Sequence, residues 1–113
     1  MSSARSSEAW DLDTAGAGAI AAALQVLATP SRLLILARLR RGDCTVVELA
    51  RAVRMERSAV SHQLRLLRIH GLVSNARYGR SVRYCLCDHH VARLLDDAVE
   101  HLDHLRVDAD GPV

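Results

Sequence analysis

The sequence predicts a mainly α-helical domain carrying one small β-hairpin, and three observations lead there. Apolar residues recur at helical spacing from about residue 15 to Gly71. Between Leu72 and Cys87 the period shortens to two, and at His89 the helical spacing returns. With 113 residues the chain has room for one domain, but the core would be small, so a partner subunit is expected.

Residues 1–13 are polar and without periodicity, which reads as a disordered tail. "AIAAALQVLA" then makes a first helix, roughly 15–28. In "TPSRLLILARLRRG", Thr29 is an N-cap, Pro30 takes the first helical position, Leu33, Leu36, Ala37 and Leu39 keep the spacing, and Gly42 stops the helix. "TVVELARAV" is helical by Val46, Leu49, Ala50 and Val53. After a turn of four or five residues "SAVSHQLRLLRIHG" starts another helix, and the two form a helix-turn-helix. "LVSNARYGRSVRYCLC" alternates around Val82, Tyr84 and Leu86 and turns at Gly79, so it is a hairpin, with Arg77, Arg80 and Arg83 on its tip and one face. A basic hairpin directly after a helix-turn-helix is a wing. A last helix, about 89–105, completes a winged helix-turn-helix domain over 14–106, and 107–113 reads as a disordered acidic tail.

Net charge is +2, which says little until it is divided along the chain. Residues 51–84 carry eight arginines against Glu56 alone, whereas 85–113 carry two arginines against seven acids. The basic block is interleaved with an apolar pattern, so it is a folded surface suited to a polyanion. No apolar run approaches the length of a membrane span, and acids precede the first apolar stretch, unlike a signal peptide; a cytoplasmic protein without membrane contact is expected. Three cysteines, an odd number, argue against a disulfide framework.

In a helix-turn-helix the second helix enters the major groove of double-stranded DNA and its first turns reach base edges. Ser58, Ser61, His62 and Gln63 occupy that end. Glutamine can bond adenine through both amide atoms, and serine can serve any base. Arg65, Arg68, Arg77 and Arg80 would supply the sequence-independent grip on phosphate. Two plainer readings stand beside these: Ser58 as a helix N-cap, and Gln63 as the edge of the buried face.

Four of the six histidines lie in "CDHHVARLLDDAVEHLDH", residues 87–104. On a helix, His90, Leu94, Asp97, His101 and His104 fall on one side, and Val91, Leu95, Ala98, Leu102 and Leu105 form a neighbouring apolar stripe. His90 and His101 are separated by roughly 16 Å along the axis at about 1.5 Å per residue, so they cannot share one ion within a chain. An antiparallel copy of the same helix would bring Asp88 and His90 of one subunit to His101 and His104 of the other, and two-fold symmetry would repeat the site. Three imidazoles and one carboxylate suit nickel, cobalt or zinc.

"LATPSRLLIL", "AVSHQLRLLRIHGLV", "GRSVRY" and "DHHVARLL" together resemble the ArsR/SmtB family of winged-helix, metal-responsive transcriptional regulators, over about residues 20–105. The resemblance implies a homodimer built on the first and last helices, operator DNA as partner, binding in the metal-free form and release on metal binding. It also implies a metal site at Asp88, His90, His101 and His104, matched residue by residue. "MERSAVSHQLR" and "HVARLLD" are most similar to the nickel/cobalt branch, which puts those ions ahead of zinc. A second site of the family, a Cys-x-Cys pair, would fall at Thr45 and Val47; Cys44 is one position off, so that site is expected to be absent. Two alternatives remain: a regulator responding to thiol oxidation at Cys85 and Cys87, and a zinc metalloenzyme, for which the sequence offers no HExxH helix or nucleophile elbow. A regulator that is not an enzyme is the expectation.

Overall fold

The computed structural model describes residues 11–110. Five helices and one hairpin follow in order: α1 (Thr14–Leu27), α2 (Pro30–Arg40), α3 (Val46–Val53), α4 (Arg57–Ile69), β1 (Val73–Tyr78), β2 (Ser81–Leu86) and α5 (His89–Asp110). This is the winged helix-turn-helix expected. The greater part of the predicted N-terminal tail lies outside the described residues, but its last member, Asp13, caps α1 by accepting from the Gly16 backbone N–H at 2.7 Å. The tail expected at 107–113 is helical through Asp110, and 111–113 lie outside the described residues. Nothing in the sequence from His89 to Asp110 breaks a helix.

The core is a single cluster in which α2, α3 and α4 meet the hairpin. Ile35, Leu36, Leu49, Val60, Leu64 and Leu67 are fully enclosed. In α3 and α4 these residues belong to the stripe that the sequence pattern marks, but in α2 the buried face is Ile35, Leu36 and Leu39, while the expected Leu33 and Ala37 are exposed. α3 opens with a capping box: Thr45 Oγ1 accepts from the Glu48 N–H, and Glu48 Oε1 accepts from the Thr45 N–H, both at 3.2 Å. At Thr29 the backbone takes the N-cap form but the hydroxyl makes no cap bond, so Pro30 is the main start signal of α2. The alternative reading of Ser58 as the cap does not hold, since Ser58 lies two positions past the N-cap: α4 begins at Arg57, with Glu56 extended before it and no side-chain cap.

Strand pairing runs antiparallel from Val73 opposite Leu86 to Tyr78 opposite Ser81. That leaves a two-residue turn with Gly79 at φ +62 in its first central place, where only glycine sits without strain. Gly71, at φ +71, performs the same service at the end of α4 and turns the chain into β1. Cys44 adds an isolated antiparallel bridge to the hairpin: its N–H and carbonyl both bond Tyr84, at 2.9 and 2.7 Å. Arg83 fastens this junction from the hairpin side, with Nε 3.1 Å from Asp43 Oδ2 and Nη1 3.3 Å from Glu48 Oε1.

α1 and α5 are bound less completely. Val26 is the buried residue of α1, and of the described side chains of α5 Val91 and Leu95 enter the core. A two-bonded ion pair adds to α5's hold, Arg40 Nε and Nη2 each 3.0 Å from Asp96 carboxylate oxygens. Large apolar side chains stay exposed on both helices, among them Leu24 at 52%, Val99 at 60% and Leu102 at 47%.

The turn between α3 and α4 carries one backbone departure. Arg54 is left-handed, φ 57 and ψ 51, where the helix end would normally take glycine or asparagine. A side chain at such a position costs about 1–2 kcal/mol, partly offset by the greater unfolded freedom of glycine. Arg54→Gly is therefore expected to stabilise the fold by about 0.5–1 kcal/mol, read from urea unfolding at constant m-value; a loss of stability would show that the arginine side chain holds the turn.

Candidate functional site

The recognition face is assembled by α4. Val60, Leu64 and Leu67 anchor it in the core, which turns Ser58, Ser61, His62, Arg65 and Arg68 outward, all exposed. Because α4 starts at Arg57, Ser58 is inside the first turn with its hydroxyl outward, rather than capping the helix. Arg77 and Arg80 are exposed at the hairpin tip. Arg83, placed with them by sequence, is instead half-buried and paired with Asp43 and Glu48, so it braces the wing.

Gln63 stands apart. It is half-buried, and its Oε1 accepts from Arg32 Nε at 2.7 Å, while Arg32 Nη1 donates to the Val26 carbonyl at 3.2 Å. A glutamine needs both amide atoms to pair with adenine, and here the oxygen is committed. Arg32 thus ties the end of α1, the start of α2 and the recognition helix together, 31 residues apart in sequence, a contact that no periodicity reveals. The edge-of-core reading of Gln63 is the one this geometry resembles.

At the other end of the molecule, Asp88 and His90 meet. Asp88 Oδ1 accepts from the backbone N–H of His90 at 2.9 Å and of Val91 at 3.3 Å, and lies 3.5 Å from His90 Nδ1. Asp88 is therefore the N-cap of α5, a role visible in the sequence as an aspartate directly before a helix and passed over there. The Val91 N–H, then that of His90 together with its imidazole, hold the Asp88 carboxyl below the usual aspartate range. The His89 and His90 rings stand 4.1 Å apart. His101 and His104 are exposed three turns further along. Among the described residues no three His, Cys, Asp or Glu side chains gather around one point, so the four predicted ligands form two separated pairs in a single chain.

The cysteines divide by environment. Cys44 is fully enclosed, and burial pushes its thiol pKa up, which makes it an inert core residue. Cys85 is half-buried with its sulfur 3.2 Å from the Ser74 hydroxyl, and Cys87 is exposed.

An outward helix studded with serines and arginines, seated on a helix-turn-helix and flanked by a basic hairpin, defines a winged-helix DNA-binding regulator. Comparison with known proteins agrees. Residues 29–75 match the model of the bacterial regulatory protein, arsR family. The HTH-type transcriptional regulator NmtR of Mycobacterium tuberculosis is 56% identical over 96 residues, 85% of this chain and 80% of that protein. The solution structure of apo-NmtR superposes with a TM-score of 0.72 at 57% identity, covering 82% of this chain and 78% of that one. A homodimeric winged helix-turn-helix DNA-binding domain from Mycobacterium bovis does so at 0.75 and 31% identity, over 82% and 86% of the two chains. The chain belongs to the arsR family of bacterial regulatory proteins and is a transcriptional regulator that binds DNA.

The capping role of Asp88 can be tested through its titration. Its carboxyl titrates lower in the folded chain than unfolded, so its contribution is complete above the unfolded value and is lost as pH falls through the folded one. Asp88→Asn keeps a capping oxygen and is expected to retain hydrogen-exchange protection at the start of α5 into acid; Asp88→Ala is expected to lose it at every pH. Equal protection in both variants would remove the capping role.

Proposed function

We propose that the protein is a repressor that works as a homodimer on double-stranded operator DNA. Its operator affinity changes when a divalent transition metal, nickel or cobalt ahead of zinc, binds between the two copies of α5. The observation that carries this reading is the state of α5. Asp88 and His90 are exposed at its start, His101 and His104 near its end, and beside them an apolar groove of about 550 Å³ lies open between Leu33 and Leu34 of α2 and Leu95, Val99 and Leu102 of α5. A second α5 running antiparallel would cover that strip and place the two donor pairs together. The donor set fits the ion: three imidazoles and a carboxylate are ligands that borderline metals prefer.

In this reading Ser58, Ser61 and His62 read bases, Arg65, Arg68, Arg77 and Arg80 neutralise phosphates, and Gln63 positions α4. The link from α5 to α4 runs through α2, whose two ends are pinned by arginines: Arg40 to Asp96 of α5 and Arg32 to Gln63 of α4. A shift of α5 that moves α2 is felt by the recognition helix through those bonds. The protein acts by binding rather than by catalysis and works in the cytoplasm, in keeping with the absence of any single helix among the described residues long and apolar enough to cross a membrane.

Operator affinity measured for the wild type and His101→Ala under buffered nickel, cobalt and zinc tests the proposal. The wild type is expected to change its affinity by about 5–150-fold with the native metal, and His101→Ala to show the same affinity with and without it. A wild type indifferent to all three metals, or a His101→Ala variant that responds normally, would contradict it.

A further inference from the structure

Three arginines that neither the recognition helix nor the wing uses converge on one cleft. α2 and α3 enclose about 340 Å³ there, over a floor that includes Ala37, Ala52 and Val53, and its rim carries Arg38, Arg41 and Arg54. Arg41 and Arg54 are exposed and Arg38 is half-buried. Among the described residues no carboxylate lies within ion-pair distance of any of the three, although Arg38 is near enough to help lower the Glu48 carboxyl; the close arginine–carboxylate pairs are those of Arg40 and Arg83. Arg38 Nη1 makes a single long bond, 3.4 Å, to the Gly42 carbonyl.

Both α2 and α3 end at this cleft, and cations are favoured at helix C-termini. That accounts for Arg38, in the last turn of α2. Arg54, the C-cap of α3, has the same favourable setting for its charge, but that does not account for a side chain at a left-handed backbone that calls for glycine. A large charged side chain kept against the preference of its own backbone points to a use for that side chain.

We propose that this cleft is a further phosphate-binding surface, one that grips the sugar–phosphate backbone of the operator beside the groove entered by α4. The proposal rests on the DNA-binding reading above and extends it. Arg54 precedes the first residue of α4 by three positions, so with the start of α4 in the major groove the turn lies against the strand bordering that groove. Arg41 and Arg38 continue the positive track away from the bases. No acid stands on the rim. Mutually repelling, mostly exposed cations suit a ligand with phosphates in series, which supplies one anion to each.

The test is the salt dependence of affinity for a short mixed-sequence DNA duplex, measured for the full-length wild type, Arg41→Gln, Arg54→Gly and, as a control on α5, Arg93→Gln. Each neutralised phosphate contributes about 0.9 to the slope of log affinity against log salt. Arg41→Gln and Arg54→Gly are each expected to flatten the slope by about that amount per half-site, with Arg93→Gln unchanged and Arg54→Gly melting no lower than the wild type. An arginine serving only the fold would leave the slope where it was. Unchanged slopes in both cleft variants, beside a wild type that binds with normal salt dependence, would overturn the cleft while leaving DNA binding intact. Wild-type binding without salt dependence would instead overturn the DNA-binding reading and this proposal with it. If inorganic phosphate raises the melting temperature of the wild type but not of Arg41→Gln, and the slopes stay fixed, the cleft holds a small anion and the proposal fails.

Discussion

An α-helix cannot bring its own two ends together, and the organisation of this molecule follows from that constraint on α5. The helix runs from His89 to Asp110 as one element, and its donors sit in two pairs that its rise keeps apart. Its apolar stripe outlasts the core that it packs on: Val91 and Leu95 are covered, whereas Val99 and Leu102 are not. In the proposed dimer both unmet needs, for ligands and for cover, would be answered by the same object, a second copy of the helix in the opposite direction. The uncovered apolar residues of α1, such as Ile20 and Leu24, extend the same requirement to the other end of the chain. A small domain with so modest a core gains from burying these surfaces against a partner.

The DNA-binding half has the opposite character, since its needs are met within the chain. α4 buries Val60, Leu64 and Leu67 completely, the junction of wing and α3 is fastened by Arg83, and the recognition surface is held by Arg32 through Gln63. The helix between the two halves is α2, with one arginine directed to each. Rigid DNA-reading machinery joined to a loosely packed last helix is an arrangement in which an event at α5 has something to move. The acidic and basic charge are segregated along the chain to match: the basic middle suits the polyanion, and in the proposed function the acidic end suits a cation.

Much of this was readable from residue order. The change of period at Leu72 and again at His89 placed the hairpin and the last helix, and Pro30, Gly71 and Gly79 marked joints that the structure uses. The D-x-H and H-x-x-H spacing by itself required two helices. Other features were present in the sequence without being used: the capping box at Thr45 and Glu48, and Asp88 as a cap. A third group was out of reach. Arg32 finding Gln63 and Arg83 turning inward to Asp43 are contacts between distant segments, set by tertiary packing. Arg54 carries no glycine or asparagine to announce its left-handed turn, so local propensity points the wrong way there.

Subunit complementation tests the central claim most directly. One copy would carry Asp88→Asn with His90→Ala, keeping the helix cap, and the other His101→Ala with His104→Ala; each is purified as a homodimer and as the mixed dimer, and bound metal is counted. Trans-subunit ligation predicts that both homodimers fail to hold metal while the mixed dimer regains one of the two symmetric sites, half of the wild-type complement. A mixed dimer that regains none, or a variant homodimer that keeps its full complement, would contradict the account.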